Sequence, residues 1–186
     1  MTRETEPHVL LDAAGVEETL AQLADGIVSG GSTHDLVLIG IRRRGVELAE
    51  RLSVLVGDRV GGPVATGSLD ITLYRDDFGQ IGSMPLIGRT EIPVDVTGRR
   101  VVIVDDVLYT GRTIRAALNE ISDFGRPSRI ELCVLVDRGG RELPIQADYV
   151  GLSQLVADGE HVEVRVPEQD DEFCVRVVGA DRTGIE

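Results

Sequence analysis

The chain has 186 residues, 42% of them hydrophobic, and a formal net charge of −13; that length and apolar content predict one domain, 1–186, with a proper core. All 19 basic residues are arginine, which excludes a Schiff-base lysine and a Walker-type phosphate lysine. The acidic balance repels nucleic-acid phosphates unless the arginines cluster.

Residues 1–8 are polar and read as a flexible terminus. Asp12 can cap a helix over 13–28, with Val16, Leu20, Leu23 and Ile27 on its apolar side. Leu36 to Ile41 has the continuous apolar character of a strand covered on both faces. It runs into Arg42-Arg43-Arg44-Gly45, and Val46, Leu48, Ala49 and Leu52 then begin a second helix. Val64 to Leu73 alternates weakly and predicts a strand ending at Tyr74-Arg75-Asp76-Asp77. Phe78 to Pro93 holds three glycines and two prolines with little periodicity, the pattern of an active-site flap or of a hairpin arm.

Val101 to Leu118, VVIVDDVLYTGRTIRAAL, is the most informative stretch. Four β-branched residues suit a buried parallel strand that ends in Asp105 and Asp106. The turn Tyr109-Thr110-Gly111-Arg112-Thr113 follows, then a helical face of Ile114, Ala117, Leu118 and Ile121. A strand, a turn and a helix start place backbone N–H groups and two hydroxyls where an anion would sit. Acids beside an anion cradle suit a ligand with both hydroxyls and phosphate, such as a ribose phosphate. Ile130 to Val136 is a further buried strand ending in Asp137-Arg138-Gly139. Tyr149 to Gly151 and Val162 to Val166 read as short strands, and Phe173 to Val178 as a last edge strand. Repeated strand–turn–helix units predict an α/β fold with its chemistry at the carboxyl ends of parallel strands. Cys133 and Cys174 read as buried free thiols of a reducing compartment. The absence of a bilayer-length apolar run or a signal-peptide pattern predicts a cytoplasmic protein with no membrane partner.

VVIVDDVLYTGRT resembles the phosphoribosyl pyrophosphate (PRPP) signature of type I phosphoribosyltransferases. SLDITLYRDD (Ser68 to Asp77) and VLVDRGGRELPIQADYVG (Val134 to Gly151) narrow the resemblance to the pyrimidine-operon attenuation regulators that also have uracil phosphoribosyltransferase activity. It covers about Leu11 to Val166. The resemblance implies a parallel five-stranded sheet with flanking helices, a mobile flap at 74–92 and a small hood. It implies a transferase that makes uridine monophosphate (UMP) and diphosphate from uracil and PRPP, with Mg²⁺ brought by PRPP and no metal site of the protein's own. Asp105 and Asp106 would hold the ribose hydroxyls, and Val104 to Thr113 (with Val107, Leu108, Tyr109, Thr110, Gly111 and Arg112) would cradle PRPP. Arg43, Arg44 and Gly45 would form the pyrophosphate loop, although the first position is usually a threonine. Arg75 and Asp76 would belong to the flap, and Arg138 and Val162 would meet the base. A homo-oligomer, a dimer or larger, is implied as well.

The same resemblance implies messenger-RNA binding through a basic face, and here the residues depart from it. The family's His-Arg-Glu-Leu-Pro-Ile-Arg reads Gly140 to Gln146, and its following lysine is Leu152. Its paired arginines fall at Glu17 and Glu18, and its Thr-Arg and His at Ala21, Gln22 and Asp25, leaving only Arg141. Replacing cations by acids removes counterion release, so RNA binding is expected to be lost. The family's Pro-Thr-Ser is replaced by Leu155-Val156-Ala157, which leaves a transferase for another base as the alternative, beside the RNA-binding attenuator.

Overall fold

The computed structural model describes residues 7–71, 89–157 and 159–179. Most of the expected flap, with Arg75 and Asp76, lies outside them. The elements run β1 (His8–Leu11), α1 (Ala13–Ser29), β2 (Leu36–Ile41), α2 (Arg44–Val60), β3 (Ala65–Leu69), β4 (Arg100–Leu108), α3 (Arg112–Phe124), β5 (Arg129–Asp137), β6 (Tyr149–Ser153), β7 (Glu160–Arg165), α4 (Pro167–Asp170) and β8 (Cys174–Gly179). Five strands form a parallel sheet in the order β3-β2-β4-β5-β6, and three form an antiparallel sheet in the order β1-β8-β7.

Every residue of β2 is buried, as its unbroken apolar run requires. Alternation along β4 divides the core in two. Val102 and Val104 pack with Val16, Leu20, Leu48 and Leu52 of α1 and α2, while Val101 and Ile103 pack with Ile114, Ala117 and Ile121 of α3. Each such buried aliphatic side chain contributes about 1.5–3 kcal/mol. Asp12 caps α1, its Oδ1 accepting the Gly15 N–H at 2.9 Å.

Four elements differ from the sequence reading. Of the strand expected over Val64 to Leu73, the described residues form Ala65–Leu69, with Asp70 and Ile71 already outside it and 72–73 not described. β4 does not end at the carboxylates: β5 runs beside it through Leu108↔Asp137, so Asp105 and Asp106 lie within the ladder. His8 belongs to β1 rather than to a loose terminus, because β8 gives that strand a partner. β8 is not an edge strand but the middle of the small sheet, taking β1 on one side and β7 on the other. Both cysteines are free, with Cys133 buried and Cys174 half-buried; burial pushes the Cys133 thiol up to about 12.

Beyond the β3 carboxyl end the chain returns as an isolated antiparallel bridge, Glu91 exchanging two backbone hydrogen bonds with Ser68 at 2.8 and 2.9 Å. Next to it, Thr90 Oγ1 accepts the Asp70 N–H at 3.0 Å and donates to Glu120 Oε1. Glu120 is buried, and its second oxygen has no hydrogen-bond partner among the described residues. Burial, with Asp70 and Asp123 nearby, raises its carboxyl above the usual glutamate range despite the Thr90 hydrogen bond. The folded state therefore holds the proton more tightly than the unfolded one, and stability falls as pH rises through the raised value. Glu120→Gln should melt higher than wild type at pH 8, with the gap closing as pH falls toward the ordinary 4.5. Thermal melts across that range check it.

Candidate active site

The order β3-β2-β4-β5-β6 reverses direction between β2 and β4. Helix α2 carries the chain from β2 outward to β3, while α3 carries it from β4 toward β5. The crevice at the carboxyl ends of β2 and β4 is thus the switch point at which open parallel sheets bind ligands. Arg43, Arg44 and Gly45 leave β2 on one side of it, and Asp105 to Thr113 leave β4 on the other.

The β2 turn is held tightly on β4. A Cβ on Gly45 would stand 2.6 Å from the Val104 carbonyl oxygen, and one on Gly40 would stand 2.4 Å from the Gly45 carbonyl oxygen. Neither position has room for a side chain. The Arg42–Arg43 peptide is cis, the Arg42 N–H donates to the Leu69 carbonyl at 2.9 Å, and Arg43 is exposed at the start of α2. The Arg44 guanidinium makes a two-pronged ion pair with Asp170 of α4, at 3.0 and 2.9 Å.

Across the crevice, Asp105 is buried and Asp106 half-buried. Asp105 Oδ1 accepts the Asp106 N–H at 3.0 Å, and Asp106 Oδ1 accepts the Val107 N–H at 2.9 Å. Burial pushes the Asp106 carboxyl above the usual aspartate range; the Val107 N–H, Asp105 and the Arg44 charge each pull it back. The turn then passes through Gly111, whose φ of +92° is a left-handed conformation that glycine adopts without strain. Thr110 Oγ1 accepts the Arg112 N–H at 3.3 Å, and α3 starts without a side-chain cap, so its first N–H groups face the crevice end of the sheet.

The loop after β5 braces this turn. Arg138 lies over the Tyr109 ring, 4.0 Å from its centroid, and donates to the Glu160 carbonyl at 3.1 Å. Its Nε is buried with no partner among the described residues. Val162 is buried in the core, two residues along β7 from that carbonyl. Arg141 donates to the carbonyls of Tyr109 at 2.7 Å and Ile145 at 3.0 Å, and to the Asp137 carboxylate at 2.5 Å. Burial works against the Asp137 charge, but Arg141 and the Gly139 N–H hold its carboxyl below the usual range. Tyr109 thus turns its side chain toward Arg138 and leaves only backbone to the anion turn.

The structure brings Arg43 to Gly45, Asp105, Asp106 and Tyr109 to Thr113 together at the carboxyl ends of β2 and β4; Arg138 is tied to them through Tyr109, while Val162 lies in the core beneath the small β1-β8-β7 sheet, the hood. The Arg44–Asp170 pair escapes the sequence, since its partners are 126 residues apart and no local pattern links them. The bracing role of Arg141 escapes it too, because only the folded loop turns four carbonyls toward one guanidinium.

Two turns at helix starts, with a carboxylate pair between them, offer N–H donors to phosphates and acceptors to hydroxyls. Residues 9–170 match the phosphoribosyl transferase domain, and the chain belongs to that family. Among its relatives are proteins named bifunctional protein PyrR. That of Pelotomaculum thermopropionicum is 52% identical over 174 residues, 93% of this chain and 96% of the relative. That of Thermus thermophilus is 49% identical over 169 residues, 90% and 93% of the two chains. Among solved structures, a hypoxanthine-guanine phosphoribosyltransferase from Bacillus anthracis superposes with a TM-score of 0.69 at 18% identity, covering 92% of this chain and 97% of that one. The hypoxanthine phosphoribosyltransferase of Trypanosoma cruzi gives 0.65 at 18% identity, covering 94% and 97%. At such identities these neighbours speak for the fold.

Proposed function

We propose that this chain is a uracil phosphoribosyltransferase, which transfers the ribose 5-phosphate of PRPP to uracil and releases diphosphate. The observation that carries the reading is the Asp105–Asp106 pair set between two anion turns at the sheet's switch point, in a chain half identical to proteins named PyrR. The transfer passes through an oxocarbenium-like ribose, so the protein's contribution is positioning and charge stabilisation. Asp105 and Asp106 accept hydrogen bonds from the ribose hydroxyls. The 109–113 turn and the α3 start donate to the 5′-phosphate, and Arg43 to Gly45 donate to the diphosphate. Carboxylate oxygens of this kind are the hard donors that suit Mg²⁺, which would come with PRPP and neutralise diphosphate charge. Arg138, stacked on Tyr109, is the donor this reading assigns to a pyrimidine carbonyl. The buried Val162 offers its backbone, not its side chain, to the base edge.

The regulator's role is not favoured. Glu17, Glu18, Gln22 and Asp25 are exposed on α1, and the nearby Arg59 is occupied by Asp25 and the carbonyls of Ala21 and Leu55. Arg141, the cation kept from the RNA face, is spent on the loop it braces.

The deciding experiment is PRPP turnover against uracil, cytosine, hypoxanthine and guanine. UMP from uracil alone is expected; another product would reassign the base, and no turnover with any base would end the enzyme reading. Retention of pyrimidine-leader RNA on filters in the presence of UMP at physiological salt would restore the regulator. Gly40→Ala tests the β2 turn directly. The added methyl must displace the Gly45 backbone, so a loss of about 1–3 kcal/mol in stability and a raised KM for PRPP are expected. Denaturant melts and initial-rate kinetics read both.

A further inference from the structure

The hood, the small β1-β8-β7 sheet with α4, grips the helix that begins at the proposed diphosphate turn. Arg44, Glu47 and Arg51 stand at i, i+3 and i+7 on one face of α2. They meet Asp170, Gln169 and Glu168 of α4 in turn, with Arg51 also 4.7 Å from the Phe173 ring centroid. Asp170 is the fixed end of this clasp. Its side chain is 14% exposed, and its Oδ2 accepts both Arg44 Nε at 3.0 Å and the Val166 N–H at 3.0 Å. The Arg44 hydrogen bond above all holds its carboxyl below the usual range; burial opposes this and the Val166 N–H supports it.

The pair consumes Nε and Nη2 of Arg44 and leaves Nη1 without a partner among the described residues. The charges facing Arg44 are Asp170 from α4, Asp106 from β4 and Glu163 from β7. The guanidinium is therefore held at the head of α2, with its field reaching the ribose carboxylate across the crevice. An arginine free in solution has about 2 kcal/mol of rotamer entropy to lose on meeting an anion. One already clamped by a second carboxylate has lost it in advance.

We propose that Asp170 is a positioning residue for diphosphate. It never touches the ligand, but fixes Arg44 so that the remaining edge of its guanidinium receives the leaving group. The inference rests on the reading of Arg43 to Gly45 as the diphosphate turn, and the test separates the two. Calorimetric titration of wild type, Asp170→Asn and Arg44→Ala with magnesium diphosphate, and separately with UMP, is carried out well below the melting temperature. Asp170→Asn should weaken diphosphate about three- to tenfold and leave UMP binding unchanged. In the Arg44→Ala background it should cost nothing more, because the two residues act as one unit. Asp170→Ser, which keeps an acceptor for the Val166 N–H but not the two-pronged pair, should show the same split if the asparagine variant folds poorly. Unchanged diphosphate binding, or equal weakening of diphosphate and UMP as from a loosened hood, overturns the positioning role. Arg44→Ala with undiminished diphosphate affinity overturns the diphosphate turn itself, and the inference with it.

Discussion

Asp106→Asn is expected to lose about 10- to 100-fold in kcat/KM for PRPP, the loss that follows when a charged hydrogen bond of about 1.5–3 kcal/mol is removed from the transition state. The fold should not suffer. Burial raises the Asp106 carboxyl above the aspartate value of 3.8, so the folded state binds its proton more tightly than the unfolded state does. Stability is then lower above the raised value than below it, and asparagine removes that cost. The variant should melt at or above the wild-type temperature at neutral pH while turning over poorly. The same shift sets the acid limb of the wild-type rate. Activity should fall with decreasing pH before an ordinary aspartate would be protonated, as Asp106 loses the charge that the proposed reading sets against the ribose hydroxyls. Initial rates from pH 4 to 8 with calorimetric melts read both effects; wild-type kinetics in Asp106→Asn would remove the ribose role.

Glu131→Leu is expected to destabilise the protein by about 3–5 kcal/mol, a large share of the 5–15 kcal/mol typical of a domain. Glu131 is 2% exposed at the amino-terminal end of the sheet, far from the crevice. Its carboxylate accepts from Arg100 Nε at 2.5 Å and from the Tyr149 hydroxyl at 2.8 Å, and lies 3.1 Å from Arg129. Arg100 is buried as well, and its second nitrogen donates to the Tyr149 hydroxyl and the Ile27 carbonyl. Removing Glu131 leaves that guanidinium buried and uncompensated. A fall of about 6–20 °C in Tm should follow. Arg100→Leu with Glu131→Leu should recover much of the loss, since a buried pair replaced whole costs far less than one broken. Burial opposes the charge on Glu131, but its hydrogen bonds with Arg100 and Tyr149 hold the carboxyl below 4.5. Its stabilisation is therefore present above that value and lost as pH falls through the lowered one. A single variant no worse than the double would show that the pair is not desolvated.

Local patterns carried most of the large sheet and the main turn. The apolar runs of β2, β4 and β5 announce strands covered on both faces, and Asp12 marks the start of α1 to the residue. DD-x3-TGRT carries the resemblance to the PRPP signature, and the fold sets its acids and its turn together at the switch point of the sheet. What the sequence withheld depends on distance. The four residues of β1 carry no periodicity, and only pairing with β8 makes them a strand. β8 reads as an edge because its neighbour lies at the other end of the chain. Arg141 reads as the one cation kept from the RNA face, yet the fold surrounds it with carbonyls. Arg44 reads as a phosphate ligand, yet its guanidinium is shared with a carboxylate of the hood.

The β1–β8 pairing joins His8 to Val177, almost the full span of the described chain. Both anion turns precede β8 in the chain by more than 60 residues. Until β8 is made, β1 has no partner and β7 lacks its neighbour, so the wall carrying Glu160 and Val162 cannot stand. On the proposed reading, the turns assigned to phosphate come first in the chain and the wall assigned to the base is completed by its last described strand, so synthesis of β8 would complete the site.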